Sequence, residues 1–286
     1  MNDLPAAVWQ TARFRIDLSR PQVMGIVNVT PDSFSDGGRY AELDAAKARC
    51  ERLLEEGVDI LDIGGESTRP GSRTPDLAEE TARVLPLVRH AVTLGVPVSV
   101  DTSTPELMQA VLDAGADIVN DVRALARPGA VEALAAHPSA GVCLMHMRGE
   151  PGTMQTLTDY GDVVAEVASF LHERVAVVEA AGVARERITL DPGIGFAKTS
   201  EQNLELMARQ HELLAEGLPL LLGWSRKSTL GKVTGRPLEE RQVASVAAAL
   251  MAVERGARIV RVHDVGATVD ALKLWSAVAA AARPSA

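Results

Sequence analysis

Short apolar runs alternate with longer amphipathic segments along the whole chain, and this alternation limits the fold more than any other feature. Val23–Val29, Ile60–Ile63, Val96–Asp101, Ile118–Asp121, Val142–His146, Ile188–Asp191, Leu220–Gly223 and Ile259–His263 read as strands. Helical periodicity fills residues 41–57, 76–94, 104–115, 129–137, 160–182, 200–215, 238–256 and 267–283. The strand runs are apolar on both faces, as in a parallel sheet covered by helices. Eight such units in 286 residues predict an α/β fold, a (β/α)8 TIM barrel. A doubly wound open sheet is the alternative built from the same units. Ahead of the first unit, ARFRIDL puts Phe14, Ile16 and Leu18 on one face. That short N-terminal strand segment is suited to cover the barrel bottom. No linker or break in composition divides the chain, so residues 1–286 are expected to form one domain.

Composition narrows the function classes. Aromatic residues are only 3% of the chain, so Leu, Val, Ile and Ala must build the core. A net charge of -9 argues against a nucleic-acid partner, whose surface calls for basic residues. Cys50 and Cys143 fall in a helical and a strand pattern and read as packed thiols, not a disulfide framework. No apolar run is long enough to span a bilayer, and the opening segment MNDLPAAVWQTARFRIDLSR lacks the apolar core of a signal peptide. A cytoplasmic enzyme with no membrane partner is the expectation.

The polar residues fall where a barrel needs them. Strands end at Asn28, Asp101, Asn120-Asp121 and Asp191, and the last ends as RVHD. In a barrel these ends meet on one rim, where active sites lie. Any single Asp or Asn there has a structural explanation as a cap or turn residue; the set, joined by an arginine and a histidine, favours a site. Arg261 and His263 share strand parity, which pairs a cation with a titratable imidazole. SRKST precedes a helix start and offers hydroxyls and free N–H groups to an anion. Asp101, Asn120 and Asp191 suit a planar heterocycle with an amino-amidine edge. Two polar loops, Pro31–Tyr40 and Gly64–Pro75, are long enough to be functional, the first as a lid. No phosphate loop, dinucleotide fingerprint or zinc motif is present.

With these residues in view, the chain resembles the dihydropteroate synthase family. MGIVNVTPDSFSDGG, DIGGESTRPG, DTSTPEL, IVNDV, LMHMRGEPGTMQ, LDPGIGF, GWSRKST and RVHDV carry the resemblance, which runs from Pro21 almost to the end. It implies condensation of 6-hydroxymethyl-7,8-dihydropterin pyrophosphate with p-aminobenzoate, releasing pyrophosphate. It implies that Asp101, Asn120, Asp191 and Lys227 hold the pterin, with Phe196 and Met145 packed near the ring. Arg261, His263 and Asn28 would hold pyrophosphate, with Mg2+ near Asn28 and Asp36 a second metal candidate. Phe34 and Pro70 would close over p-aminobenzoate, Ser228 would receive its carboxylate, and Thr68 and Arg69 would shape the same region. Asn28, Lys227, Arg261 and His263 are the residues expected to act in catalysis. A homodimer and inhibition by sulfonamides, which mimic p-aminobenzoate, are further family expectations. The rivals are a pterin-binding corrinoid-dependent methyltransferase and a non-catalytic pterin-binding protein.

Overall fold

The computed structural model describes residues 8–29, 38–66 and 75–281, with backbone alone for 38–41. Two short strands, β1 (Val8–Gln10) and β2 (Arg15–Asp17), form an antiparallel hairpin. Eight parallel strands follow: β3 (Gln22–Asn28), β4 (Ile60–Gly64), β5 (Val98–Asp101), β6 (Ile118–Asp121), β7 (Gly141–Met145), β8 (Ile188–Asp191), β9 (Leu221–Leu222) and β10 (Ile259–Val262). Their order, β8-β7-β6-β5-β4-β3-β10-β9, is that of a barrel. A parallel bridge from Leu190 to Leu220 joins the two ends. The open doubly wound alternative is thereby excluded.

Helices α1 (Gly38–Glu55), α2 (Leu77–Ala91), α3 (Pro105–Asp113), α4 (Ala130–Ala135), α5 (Val163–Ala180), α6 (Ser200–Ala208), α7 (Ser228–Thr234), α8 (Gln242–Glu254) and α9 (Val265–Ala281) form the outer layer. Their starts follow local chemistry. Asp76 accepts from the Glu79 N–H ahead of α2, Asp162 accepts from Val164 and Ala165 ahead of α5, and Thr199 with Gln202 makes a capping box for α6. The seven-residue α7, for which the periodicity predicts no separate segment, adds a second helix between β9 and β10. None of the described helices is long and apolar enough to cross a membrane.

Val, Leu and Ala side chains fill the space between strands and helices. Gly25 on β3 shows how tight this layer is: a Cβ there would lie 2.8 Å from Val58 and 3.1 Å from Leu53. A second, smaller core fills the barrel bottom. Met24, Ile60, Ile118, Cys143, Leu221 and Ile259 point inward and meet Trp9, Ile16 and Leu18 from below. The single covering strand expected from ARFRIDL is therefore corrected to a hairpin. Its first strand supplies Trp9, whose Nε1–H donates to the Arg187 carbonyl at 2.9 Å. Arg13, in the turn, pairs with the buried Asp117 at 2.6 Å.

Because Trp9 is fully buried, Trp9→Ala should lower stability by about 3–5 kcal/mol in urea denaturation.

Candidate active site

Above the apolar plug the barrel interior turns polar. Asp62, at the middle of β4, is completely buried. Its Oδ1 accepts from Ser99 Oγ at 2.6 Å and from Asn120 Nδ2 at 3.3 Å. Its Oδ2 accepts from Arg261 Nε at 2.6 Å, while Arg261 Nη2 donates to Asp101 Oδ2 at 2.9 Å. One arginine thus ties β4, β5 and β10 together across the lumen. Burial works against the charge on Arg261, but Asp62 and Asp101 outweigh it and raise its pKa above the ordinary arginine value. Burial likewise pushes Asp101 upward, opposed by Arg261.

Strand register lines up the rim. Asn28, Gly64, Asp101 and Asn120 pair in sequence across β3, β4, β5 and β6. Gly64 leaves a gap in this row, where an added Cβ would lie 3.5 Å from Asp101 Cβ and 3.7 Å from Asn28 Oδ1. Opposite, Met145 pairs with Asp191 across β7 and β8. Asp191 is buried, and its Oδ1 accepts from the Gly193 N–H at 2.7 Å. Burial pushes its pKa up to about 6, against the opposing pull of that N–H, Lys227, Arg261 and Lys198.

The mouth has one apolar wall, made by Val122, Met145, Met147, Met154 and Phe196. Lys227 Nζ sits 4.2 Å from the Phe196 ring centroid, a cation–π contact. Burial and then Arg261 push the Lys227 pKa down to about 8. Two non-glycine residues in the left-handed region flank this wall, Ala197 at φ 50 and Arg226 at φ 60. Arg226 is held there by Asp264 at 2.7 Å and by Ser245 Oγ, which accepts its backbone N–H. Strain of this kind collects where a site must be held open.

His263 is close to Arg261 but is not a second cation. Its Nδ1 lies 2.9 Å from Ser225 Oγ, which also accepts the His263 backbone N–H. Burial and then Arg261 and Arg226 push its pKa down to about 3. The imidazole is therefore neutral at pH 7. Ser228 is exposed at the first position of α7, and Lys227 makes no capping bond to that helix.

The structure brings together Asn28, Asp101, Asn120, Met145, Asp191, Phe196, Lys227, Arg261 and His263, all at the strand C-termini or the loops just beyond. Phe34, Asp36, Thr68, Arg69 and Pro70 lie outside the described residues. Sequence reasoning left two residues out of the site. Asp62 was legible as a charge inside the apolar run ILDIG with the parity of Gly64. Lys198, 3% exposed, follows an apolar glycine loop and gives no signal in sequence.

A pterin binding enzyme family profile matches residues 24–263. The dihydropteroate synthase of Neisseria meningitidis serogroup C is 54% identical over 95% of this chain and 97% of its own length. The chain belongs to the dihydropteroate synthase family. Two solved family members share its fold along nearly the whole chain. The Xanthomonas albilineans enzyme, determined with 4-aminobenzoic acid, superposes with a TM-score of 0.92 at 48% identity, covering 98% of this chain and 100% of that one. The Burkholderia cenocepacia enzyme, determined with 7,8-dihydropteroate, does so at 0.89 and 50% identity, covering 98% and 99%.

The ion-pair layer makes a direct prediction for this family member. Asp62→Ala leaves Arg261 short of a buried partner, so stability at pH 7 should fall by about 3–5 kcal/mol in urea denaturation.

Proposed function

We propose that this chain joins 6-hydroxymethyl-7,8-dihydropterin pyrophosphate to p-aminobenzoate, giving 7,8-dihydropteroate and pyrophosphate. What supports this most is the placement of Asp191, Asn120 and Asp101 around one barrel mouth that also holds Arg261 and Lys227, in a member of this family. Asp191, ionised above pH about 6, takes the 2-amino and N3–H donors of the pterin in bidentate form. Asn120 and Asp101 serve the ring from β6 and β5, and Lys227 reaches its oxygen side. Met145 and Phe196 give it an apolar surface.

The diphosphate leaves from the other side. Arg261 is fixed by two carboxylates before substrate arrives, so no reorganisation is needed as charge develops. Its Nη1 has no partner among the described residues. His263 donates from its ring and gains a proton more readily once a polyanion lies beside it. The aniline nitrogen forms the new C–N bond to the pterin methylene as the C–O bond to diphosphate breaks. Its extra proton then passes to solvent. A neutral aromatic amine needs no strong base, so no residue is assigned as one.

Mg2+ fits this site as an ion carried in on substrate. Among the described residues no cluster of three acidic, histidine or cysteine side chains could cage a metal. The Asn28 carboxamide offers one hard oxygen, the modest protein contribution that Mg2+ accepts when phosphates and waters complete its shell. Asn28 and, from the first loop, Asp36 are the residues that would hold it. When bound, the ion would neutralise charge on the diphosphate. Phe34 and Pro70 are proposed to close over p-aminobenzoate, Ser228 to receive its carboxylate, and Thr68 and Arg69 to shape the same region, where sulfonamides would compete.

A homodimer is part of the same reading. Val243 on α8 and Leu274 and Val278 on α9 are 81%, 69% and 62% exposed. A second copy is the proposed cover for them.

Mixing both substrates with the protein should release pyrophosphate stoichiometrically with dihydropteroate; no release would end the proposal. Asp191→Ala should abolish calorimetric pterin binding. Arg261→Lys should cut turnover by about 10²–10³-fold. Light scattering should return twice the 30.3 kDa chain mass, and Val243→Asp should shift it toward monomer.

A further inference from the structure

Lys198 is the one buried lysine that this reading leaves without work. It lies in the loop between β8 and α6, and its ammonium has three close acceptors. They are His146 Nδ1 at 2.9 Å, the Gly193 carbonyl at 3.0 Å and the Phe196 carbonyl at 3.0 Å. The His146 carbonyl is a longer fourth at 3.5 Å. An ammonium has three donors, so the charged form satisfies this cradle and the neutral amine would leave one acceptor short. Among the described residues no carboxylate bonds to it.

The cradle is wired to the pterin carboxylate. The His146 N–H donates to the Asp191 carbonyl at 2.9 Å, and the Gly193 N–H donates to Asp191 Oδ1 at 2.7 Å. Lys198 holds the other end of residue 193 by its carbonyl. Gly193 has φ +70 and passes so close to His146 that a Cβ would overlap the His146 carbonyl oxygen at 1.9 Å. The loop can follow this path only with glycine at 193 and a donor beneath it.

We infer that Lys198 is a positioning residue for the pterin carboxylate: its ammonium anchors the 193–197 loop from below, aims the Gly193 N–H at Asp191 and fixes Phe196 in the pterin wall. The inference rests on the assignment of Asp191 to the pterin edge. Its charge has a second effect. Asp191 faces Lys198 from its own loop, Lys227 from the start of α7, Arg261 from β10 and the thiol of Cys143 from β7. His146, beside it, is neutral, because burial and Lys198 together hold its pKa far below the ordinary histidine value. Lys198 is therefore one of three cations that oppose the desolvation of Asp191. Burial lowers its own pKa to about 7.

Pterin binding needs ionised Asp191 and is lost as pH falls through its pKa. Without the Lys198 charge that pKa rises, so the acid limb of the affinity profile moves to higher pH. The test is calorimetric binding of 6-hydroxymethyl-7,8-dihydropterin to wild type and Lys198→Met, from about pH 5 to about pH 9. The variant should show an acid limb displaced upward by about one unit, a ten-fold loss of affinity at a fixed pH on the limb. KM for p-aminobenzoate should stay unchanged. If Lys198→Met fails to fold by circular dichroism, Lys198→Gln carries the same expectation. A folded variant with the limb in its wild-type place overturns the inference, even if affinity drops uniformly. So does failure of both uncharged variants to fold, which would make the ammonium a fold requirement. Asp191→Asn separates the two readings. Full pterin affinity in that variant sinks the pterin-edge assignment itself. Loss there, with a wild-type profile in Lys198→Met, sinks only the inference.

Discussion

Arg261 bonded to both Asp62 and Asp101 is the contact on which the rest of the site depends. Three charges within a barrel lumen are tolerated only because each has a partner. Asp62 has no exposure at all, and two further donors, Ser99 and Asn120, use its remaining capacity. The layer therefore crosses β4, β5, β6 and β10 as one network. Asn120 and Asp101, proposed above to hold the pterin, are each bonded within this network. Their positions are set before any ligand enters, which is what an electrostatic site requires.

That layer can be polar because the layer beneath it is dry. Trp9, Ile16 and Leu18 close the barrel bottom against Met24, Ile60, Ile118, Leu221 and Ile259. The plug lies beneath Asp62, which has no solvent exposure. The barrel is thus graded along its axis, apolar at the hairpin end, charged in the middle and open at the strand C-termini. Burial and this charge density together set protonation at the rim. Burial, and after it Arg261, lowers the basicity of both Lys227 and His263, so the site keeps a neutral imidazole beside a fixed cation.

Much of this was legible in the sequence. Ile118–Asp121 and Ile188–Asp191 are strands with the bounds their apolar runs predict. Period-two parity placed Arg261 and His263 on one face, and polar strand ends marked the rim. Less legible were elements whose reason lies elsewhere in the chain. The strand Val8–Gln10 is too short for a periodic signal and exists because Trp9 fits the barrel bottom. The covering segment therefore read as one strand when it is a hairpin. Helix α7 begins at the helix start that SRKST marks, but its seven residues, after a strained Arg226, are too few to show a helical period of their own.

By itself the sequence determined the repeating strand–helix order, the rim chemistry and the family, because all three are local patterns or ordered motifs. Only the tertiary structure decided which charges are spent on each other. Asp62 and Arg261 are 199 residues apart, and nothing local distinguishes a buried ion pair from two free functional groups. The same holds for Lys198, whose lysine is unremarked in sequence and becomes a three-point anchor only when β7 and the loop after β8 close around it. Pairing across a barrel is set by register and closure, and those arise only once all eight strands have met.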